Sequence, residues 1–130
     1  MADFVTTAEA REHLRATTAD DSWLAIWIPA ISAAVLSWLK EDWRAYLPAL
    51  DADGVALVDS SGDEIPMEDS DGDHTVKPQV KAAVLVELAQ QYRFRDGSGA
   101  AAVPSHWGHG YVLGAGATIL LVAVRKATVA

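Results

Sequence analysis

The chain has 130 residues, of which 51% are hydrophobic and 22% charged, a composition typical of one globular domain. It contains no cysteine, which excludes disulfides, thiolate metal sites and cysteine nucleophiles. The formal net charge is −8, from 18 acids against 10 Lys and Arg. Such a protein does not hold nucleic acid through its whole surface, because phosphate affinity comes from basic side chains.

The acidic excess is confined to one internal segment. Residues 51–73 contain nine carboxylates and no Lys or Arg, whereas the rest of the chain carries nine acids against ten bases. A block of like charges usually forms a solvated loop. The nine carboxylates belong to Asp51, Asp53, Asp59, Asp63, Glu64, Glu68, Asp69, Asp71 and Asp73.

The N-terminal region predicts a short helix. Thr6 and Glu9 have the spacing of a capping box, in which each side chain accepts from the backbone N–H of the other residue. We expect this helix to end near Arg15. The N-terminus does not have the basic stretch followed by an apolar stretch that is typical of a signal peptide. We therefore expect a protein of the cytoplasm or of a particle assembled there.

A long second helix is predicted from about Asp20 to Tyr46, with Trp23, Trp27 and Trp38 beside its inner stripe. Pro29 interrupts the pattern, and either kinks the helix or begins a separate one; we favour a kink because the apolar period continues across it. The apolar stretch 23–39 is shorter than the roughly 20 residues of a membrane span, so we expect a buried helix. The inner stripe consists of Leu24, Ile28, Ile31, Val35, Leu39 and Trp43.

The tryptophans of this helix have two interpretations. They are either core residues alone, or core residues that also form a subunit interface, where aromatic side chains are enriched. The candidate interface residues are Trp23, Trp27, Trp38 and Trp43.

The second half of the chain predicts one more long helix between irregular segments. In the acidic segment, residues 55–58 and 65–67 flank a turn containing Gly62, which suggests a small hairpin. Pro78 suits the first turn of a third helix, which we expect to run to about Arg95. A glycine-rich loop follows, and residues 117–126 are predicted to form either a short helix or a strand.

No motif predicts catalysis, a metal or a cofactor. Residues 69–73 resemble the start of a calcium loop, but Gly72 precedes Asp73 and His74 stands where that loop needs its glycine. His106 and His109 lack a third ligand nearby. The segment 114–116 has no Lys-Ser/Thr after it, which excludes a phosphate loop. We therefore expect no enzyme.

Several segments, taken in order, resemble the head–tail connector, or adaptor, proteins of long-tailed bacteriophages. Residues 6–15 (TTAEAREHLR) resemble the opening helix of that family, and residues 20–24 (DDSWL) with 28–35 (IPAISAAV) resemble its second helix. Residues 77–85 (KPQVKAAVL) and 88–97 (LAQQYRFRDG) resemble its third helix and closing signature. Residues 119–125 stand where its last short helix would lie. The acidic and glycine-rich segments depart from the pattern.

The resemblance implies an all-α fold, a small bundle of three to four main helices with the acidic loop between helices two and three. Residues 1–130 would form one connector domain, with an acidic insertion at 51–75, a glycine-rich loop at 97–116 and a C-terminal docking segment at 117–130. Family members form a ring, expected to be a dodecamer, between the portal and the next neck or tail-completion protein. They extend the DNA channel in the virion neck, without a membrane or a cofactor.

Two site hypotheses follow from this resemblance. The nine acids of 51–73 would face the channel, where they repel passing DNA; an outer, solvent-facing position is the alternative. The C-terminal strip would dock on the portal, or would instead complete the helical core. The candidate docking residues are Ile119, Leu120, Leu121, Val122, Val124, Arg125 and Lys126.

Two other classes of function remain open. One is a regulatory module without a virion role, which binds another protein through its tryptophan-rich helix. The other is a small enzyme with a loop site at His106 and His109.

Overall fold

A computed structural model describes residues 3–93 and 113–125, and within these ranges the chain is all-α, with four α-helices and no strand. Short 3₁₀ turns at Thr18–Asp20 and Asp42–Ala45 flank the second helix. The helices are α1 (Thr7–Leu14), α2 (Asp21–Leu39), α3 (Pro78–Arg93) and α4 (Ala115–Leu121).

Helix α1 begins with the predicted capping box. The Thr6 side chain accepts from the Glu9 N–H, and the Glu9 carboxylate accepts from the Thr6 N–H, each at 3.0 Å. The helix ends at Leu14 because Arg15 takes the left-handed conformation, with φ at 56°. Lys81 of α3 donates to Glu9 at 2.7 Å and thereby ties α1 to the third helix.

Helix α2 is shorter than the sequence predicts. It ends at Leu39 rather than Tyr46, because Lys40 adopts a left-handed conformation with φ at 75°. Trp43 therefore lies on the following 3₁₀ turn and not on α2. The helix continues through Pro29, whose missing N–H leaves the carbonyl of Ala25 without its usual donor. Both residues are exposed, so water can hydrate that carbonyl.

The core lies where α2, α3 and α4 meet. The inner stripe of α2 is confirmed from Leu24 to Leu39, and it packs with the buried line of α3. Phe4 and Val5 join this core, and the Phe4 N–H donates to the buried Ser32 hydroxyl of α2 at 3.1 Å. The largest fully buried side chains are Phe4, Leu24, Ile31, Leu39, Leu88, Leu121, Val35, Val80, Val84 and Ser32.

Residues 46–77, which we call the arm, connect the 3₁₀ turn after α2 to α3. The arm contains isolated antiparallel bridges and no regular strand, and one of them joins Val58 to Glu64 across the turn where a hairpin was predicted. Three equivalent turns begin at Asp51, Asp59 and Asp69. In each turn the aspartate Oδ1 accepts from the N–H groups two and four residues later.

Glycine occupies the same place in each turn of the arm. Gly54, Gly62 and Gly72 each lie three residues after the aspartate and have φ between 79° and 84°. A side chain would strain this left-handed backbone, so the Asp-x-x-Gly spacing specifies the turn.

Two closed rings of backbone hydrogen bonds hold the arm together. In the first, Leu47 N–H donates to Thr75, Thr75 to Met67, and Met67 back to Leu47. In the second, Ala49 donates to Ile65, Ile65 to Leu57, and Leu57 back to Ala49. Each ring joins three passes of the chain side by side, so the arm is ordered by its backbone and has almost no buried side chain.

Candidate assembly surfaces

The arm carries all nine acids of the predicted channel-facing set. Seven are exposed, and Asp63 and Glu64 are half-buried. Three of the nine, Asp51, Asp59 and Asp69, also close the turns described above. The arm thus presents its charge to its surroundings, as the sequence predicts, while the direction it would face in an assembly stays a prediction.

The arm also exposes large apolar side chains, which the sequence analysis did not anticipate. Leu50, Val55 and Val58 are more than half exposed, and the other three side chains are between 36% and 41% exposed. Every residue of 46–77 is exposed or half-buried, so the arm has no interior of its own to cover these side chains. The six apolar residues are Leu50, Val55, Leu57, Val58, Ile65 and Met67.

The calcium-loop resemblance at residues 69–73 is explained by turn geometry. The Asp69 carboxylate accepts from the N–H groups of Asp71 and Asp73, at 2.9 and 3.0 Å. Among residues 3–93 and 113–125, no group of three or more His, Asp or Glu side chains could hold a metal ion. His106 and His109 lie outside the described residues.

The two end residues of the arm, Tyr46 and Lys77, have shifted pKa values. Burial, followed by the nearby Asp42 carboxylate, raises the pKa of the Tyr46 phenol. Burial also lowers the pKa of Lys77, although the Glu64 carboxylate opposes that change. Tyr46 lines an open cleft of about 390 Å³ together with Asp3 and His74. The Tyr46 ring meets Phe4 edge-on with 6.0 Å between the ring centres, which packs the start of the arm against the N-terminal segment.

The four tryptophans of the predicted interface are half-buried, and each makes contacts within the chain. Trp23 stacks on Trp27 at 5.5 Å and meets the edge of Tyr92 at 5.3 Å. The Trp38 ring lies under the Arg125 guanidinium at 4.3 Å. Trp43 donates from Nε1 to Glu41 at 2.6 Å. Much of each indole is therefore occupied within the chain.

A different face of α2 is left open. It lies opposite the inner stripe, and Ile26 at its centre is 68% exposed. Sequence reasoning missed this face because its residues are small, and only their recurrence at helical spacing could have indicated it. The exposed residues, which we call the outer face of α2, are Ser22, Ala25, Ile26, Pro29, Ala30 and Ser37.

By length and composition alone, Thr18–Leu39 could cross a membrane. Its most apolar window has a mean hydropathy of 1.6, and 33% of that window is buried. Core helices of soluble proteins satisfy the same criterion, and the continuous buried stripe from Leu24 to Leu39 has the pattern of such a helix.

The C-terminal strip forms α4 and a following turn, which settles its secondary structure as helical. Leu121 and Val124 are buried in the core, and Leu120 is half-buried against it. Ile119 and Val122 are 73% and 65% exposed, so they are the apolar docking candidates that a partner can reach in this conformation. Lys126 lies outside the described residues.

Arg125 and Arg44 join the C-terminal turn to the end of α2 and to the 3₁₀ turn that follows it. Arg125 donates from Nε to the Trp38 carbonyl at 3.1 Å, and Arg44 donates to the Val124 carbonyl at 3.3 Å. The alternative in which the strip completes the core therefore describes its buried side, while docking remains a prediction for its exposed side.

No protein-family model, curated protein or solved structure matches this chain.

Proposed function

We propose that this protein is a head–tail connector of a long-tailed bacteriophage, a structural subunit that forms a ring between the portal and the tail. The observation that carries the proposal is the amount of apolar surface left open outside a well-filled core. Both the arm and the outer face of α2 expose apolar side chains. Soluble monomers rarely expose large contiguous apolar patches, whereas assembly subunits cover them with their neighbours.

The charge distribution supports a position around DNA. The arm extends nine acids from a nearly neutral body, and a duplex in a channel lined with such acids is repelled from the wall. A connector must let the genome pass without binding it. The channel-facing role of the nine acids is part of this proposal.

The exposed side of the C-terminal strip supports contact with the portal. Ile119 and Val122 protrude from an α4 whose buried side is anchored in the core. Such a rigid apolar pair suits a pocket in a partner protein. We assign Ile119, Val122 and the adjacent part of Leu120 to portal docking.

The decisive experiment mixes the purified chain with the portal protein encoded near it and images the mixture by electron microscopy. We expect an added ring of density below the portal. The variant Ile119→Ser/Val122→Ser should lose that ring and keep its helical circular dichroism. Folded wild-type chain that adds no density would overturn the connector proposal and favour the regulatory module.

The channel role of the acids needs a separate variant. Asp53, Asp63, Glu64, Asp71 and Asp73 have no side-chain part in the turn hydrogen bonds described above, so their Asn or Gln substitutions preserve those bonds. Virions carrying the five substitutions should show altered DNA retention or ejection. Unchanged retention and ejection would place these acids away from the channel.

A further inference from the structure

The two open apolar surfaces of the chain lie on different elements. The outer face of α2 belongs to the helical body, and the arm's apolar residues belong to residues 46–77. From Ser22 to Leu39, six residues of α2 are exposed and six more are half-buried. Each surface needs a cover, and in a closed ring of identical subunits one surface can cover the other.

Charge restricts which pairs of these surfaces can meet. Contact between two arms would place nine carboxylates against nine, without a Lys or Arg in either 51–73 segment. Helix α2, in contrast, has no charged residue from Ser22 to Leu39. Its outer face therefore accepts an acidic arm without like-charge contact.

The sizes of the side chains are also complementary. The arm presents Leu, Ile, Val and Met side chains, whereas five of the six outer-face residues are Ala, Ser or Pro. Large side chains against a helix of small ones allow close approach of the two backbones. If the outer faces of two copies packed against each other, Ile26 would be the one large apolar side chain that each contributes. Both arms would then stay uncovered.

We propose that the arm of one copy lies across the outer face of α2 of the next copy. This contact is head-to-tail, because it uses different surfaces on the two partners, and repetition of such a contact closes a ring when its rotation permits. The inference deepens the proposed connector function and rests on it for the ring.

A matched pair of substitutions at Ala30 tests the identity of the covering surface. Ala30 is exposed at the centre of the outer face, so Ala30→Lys and Ala30→Glu both add a long charged side chain without entering the core. Only glutamate repels an acidic arm. In sedimentation velocity over a concentration series, and in assembly on the portal, we expect Ala30→Glu to weaken association at least tenfold more than Ala30→Lys. Raising the salt concentration should reduce this difference, because salt screens exposed charges.

The arm's acids provide the second half of a double-mutant cycle. In a chain whose Asp53, Asp63, Glu64, Asp71 and Asp73 are replaced by Asn or Gln, four of the nine acids remain, so the difference between Ala30→Lys and Ala30→Glu should shrink. If Ala30→Lys and Ala30→Glu weaken association equally in a chain with the wild-type arm, two α2 helices pair with each other. No effect of either substitution would show that the outer face is not an interface. Both results overturn the proposal.

Photo-crosslinking locates the contact directly. A chain with p-benzoylphenylalanine at position 26 is mixed with an isotopically labelled second copy, alone at high concentration and also with the portal. We expect crosslinks from position 26 to residues 50–67 of the labelled copy. Their absence in both mixtures, or crosslinks to lipid when phosphatidylglycerol vesicles are added, would overturn the contact.

The outcomes for contact and function are separable. Crosslinks to the arm without binding to the portal would retain the contact and reject the connector function. A ring on the portal without those crosslinks would retain the function and reject the contact.

Discussion

Arg125 covers the end of α2 by two interactions with one residue, Trp38. Its Nε donates to the Trp38 carbonyl at 3.1 Å, and its guanidinium lies 4.3 Å from the centre of the indole ring. The carbonyl belongs to the last turn of the helix, where no intrahelical N–H is available. The C-terminal turn therefore stabilises α2 while α4 packs on α3.

Replacing Arg125 should accordingly destabilise the whole domain. We expect Arg125→Ala to lower the free energy of unfolding by about 1–2 kcal/mol, from the lost charged hydrogen bond and cation–π contact. Arg125→Lys keeps the charge but not the planar guanidinium, so its free energy of unfolding should lie between those of wild type and Arg125→Ala. Urea denaturation followed by circular dichroism measures the difference, and an unchanged midpoint for Arg125→Ala would contradict this role.

Truncation separates the structural part of the C-terminus from its docking part. Deleting residues 116–130 removes Ala117 and Leu121, both fully buried, so the remaining chain should not fold cooperatively. The exposed-site substitution Ile119→Ser should leave the free energy of unfolding within about 0.5 kcal/mol of wild type. A truncated chain with a sharp wild-type-like transition would show that α4 is dispensable for the core.

The arm's turns should depend on glycine and on an aspartate oxygen rather than on aspartate charge. Gly62→Ala places a side chain at φ 84°, which costs about 1–2 kcal/mol. Asp59→Ala loses the acceptor for two N–H groups, whereas Asp59→Asn keeps it. Amide hydrogen exchange at Leu57 and Ile65 should quicken roughly 5–30-fold in Gly62→Ala and Asp59→Ala, and change little in Asp59→Asn. Equal quickening in Asp59→Asn would assign the effect to charge.

The sequence predicts the helices well where local signals and burial agree. The capping box at Thr6, the inner stripe of α2 and the proline at the start of α3 all lie where periodicity and capping rules place them. The end of α2 was wrong, because apolar spacing continues to Trp43 while a left-handed Lys40 stops the helix. No residue-type signal marks lysine for that conformation, since glycine or asparagine usually fills it.

The surfaces were less predictable than the fold. Trp23 and Trp38 make the intrachain contacts that either interpretation of the tryptophans requires, and their role in a subunit interface stays a prediction. The outer face of α2 gave a weak signal because alanine and serine are common on buried and exposed surfaces alike. The order of the arm arises from backbone rings between residues up to 28 positions apart, such as Leu47 and Thr75, which local patterns cannot indicate.

A buried hydroxyl connects the N-terminal segment to the middle of α2. Ser32 is 1% exposed, and its Oγ accepts from the Phe4 N–H at 3.1 Å. Ser32→Ala leaves that buried N–H without this acceptor, which costs about 1–3 kcal/mol. Ser37→Ala, on the outer face of the same helix, should change the free energy of unfolding by less than about 0.5 kcal/mol. Equal effects of the two substitutions in urea denaturation would contradict the structural role of this hydrogen bond.

The ion pair between Glu9 and Lys81 should make stability depend on acid pH. The hydrogen bond from Lys81, reinforced by the Thr6 N–H, lowers the pKa of Glu9 below its ordinary value of 4.5. Because the folded-state pKa is lowered, its contribution is present above pH 4.5 and is lost as the pH falls through the folded-state pKa. Both side chains are more than a third exposed, so the pair contributes only about 0.5 kcal/mol at neutral pH.

Lys81→Met tests this pair while keeping the length of the side chain. At pH 7 the variant should be less stable than wild type by about 0.5 kcal/mol, and the two proteins should converge once the pH has fallen below the lowered pKa of Glu9. Urea denaturation above and below that pKa measures the difference. Thr6→Ala removes the Oγ that accepts from the Glu9 N–H but keeps the backbone N–H that donates to the Glu9 carboxylate. It should therefore cost about 1 kcal/mol at neutral pH and leave most of the pH dependence in place. A difference between wild type and Lys81→Met that persists unchanged after Glu9 is protonated would arise from packing of the lysine stem and not from the charge on Glu9.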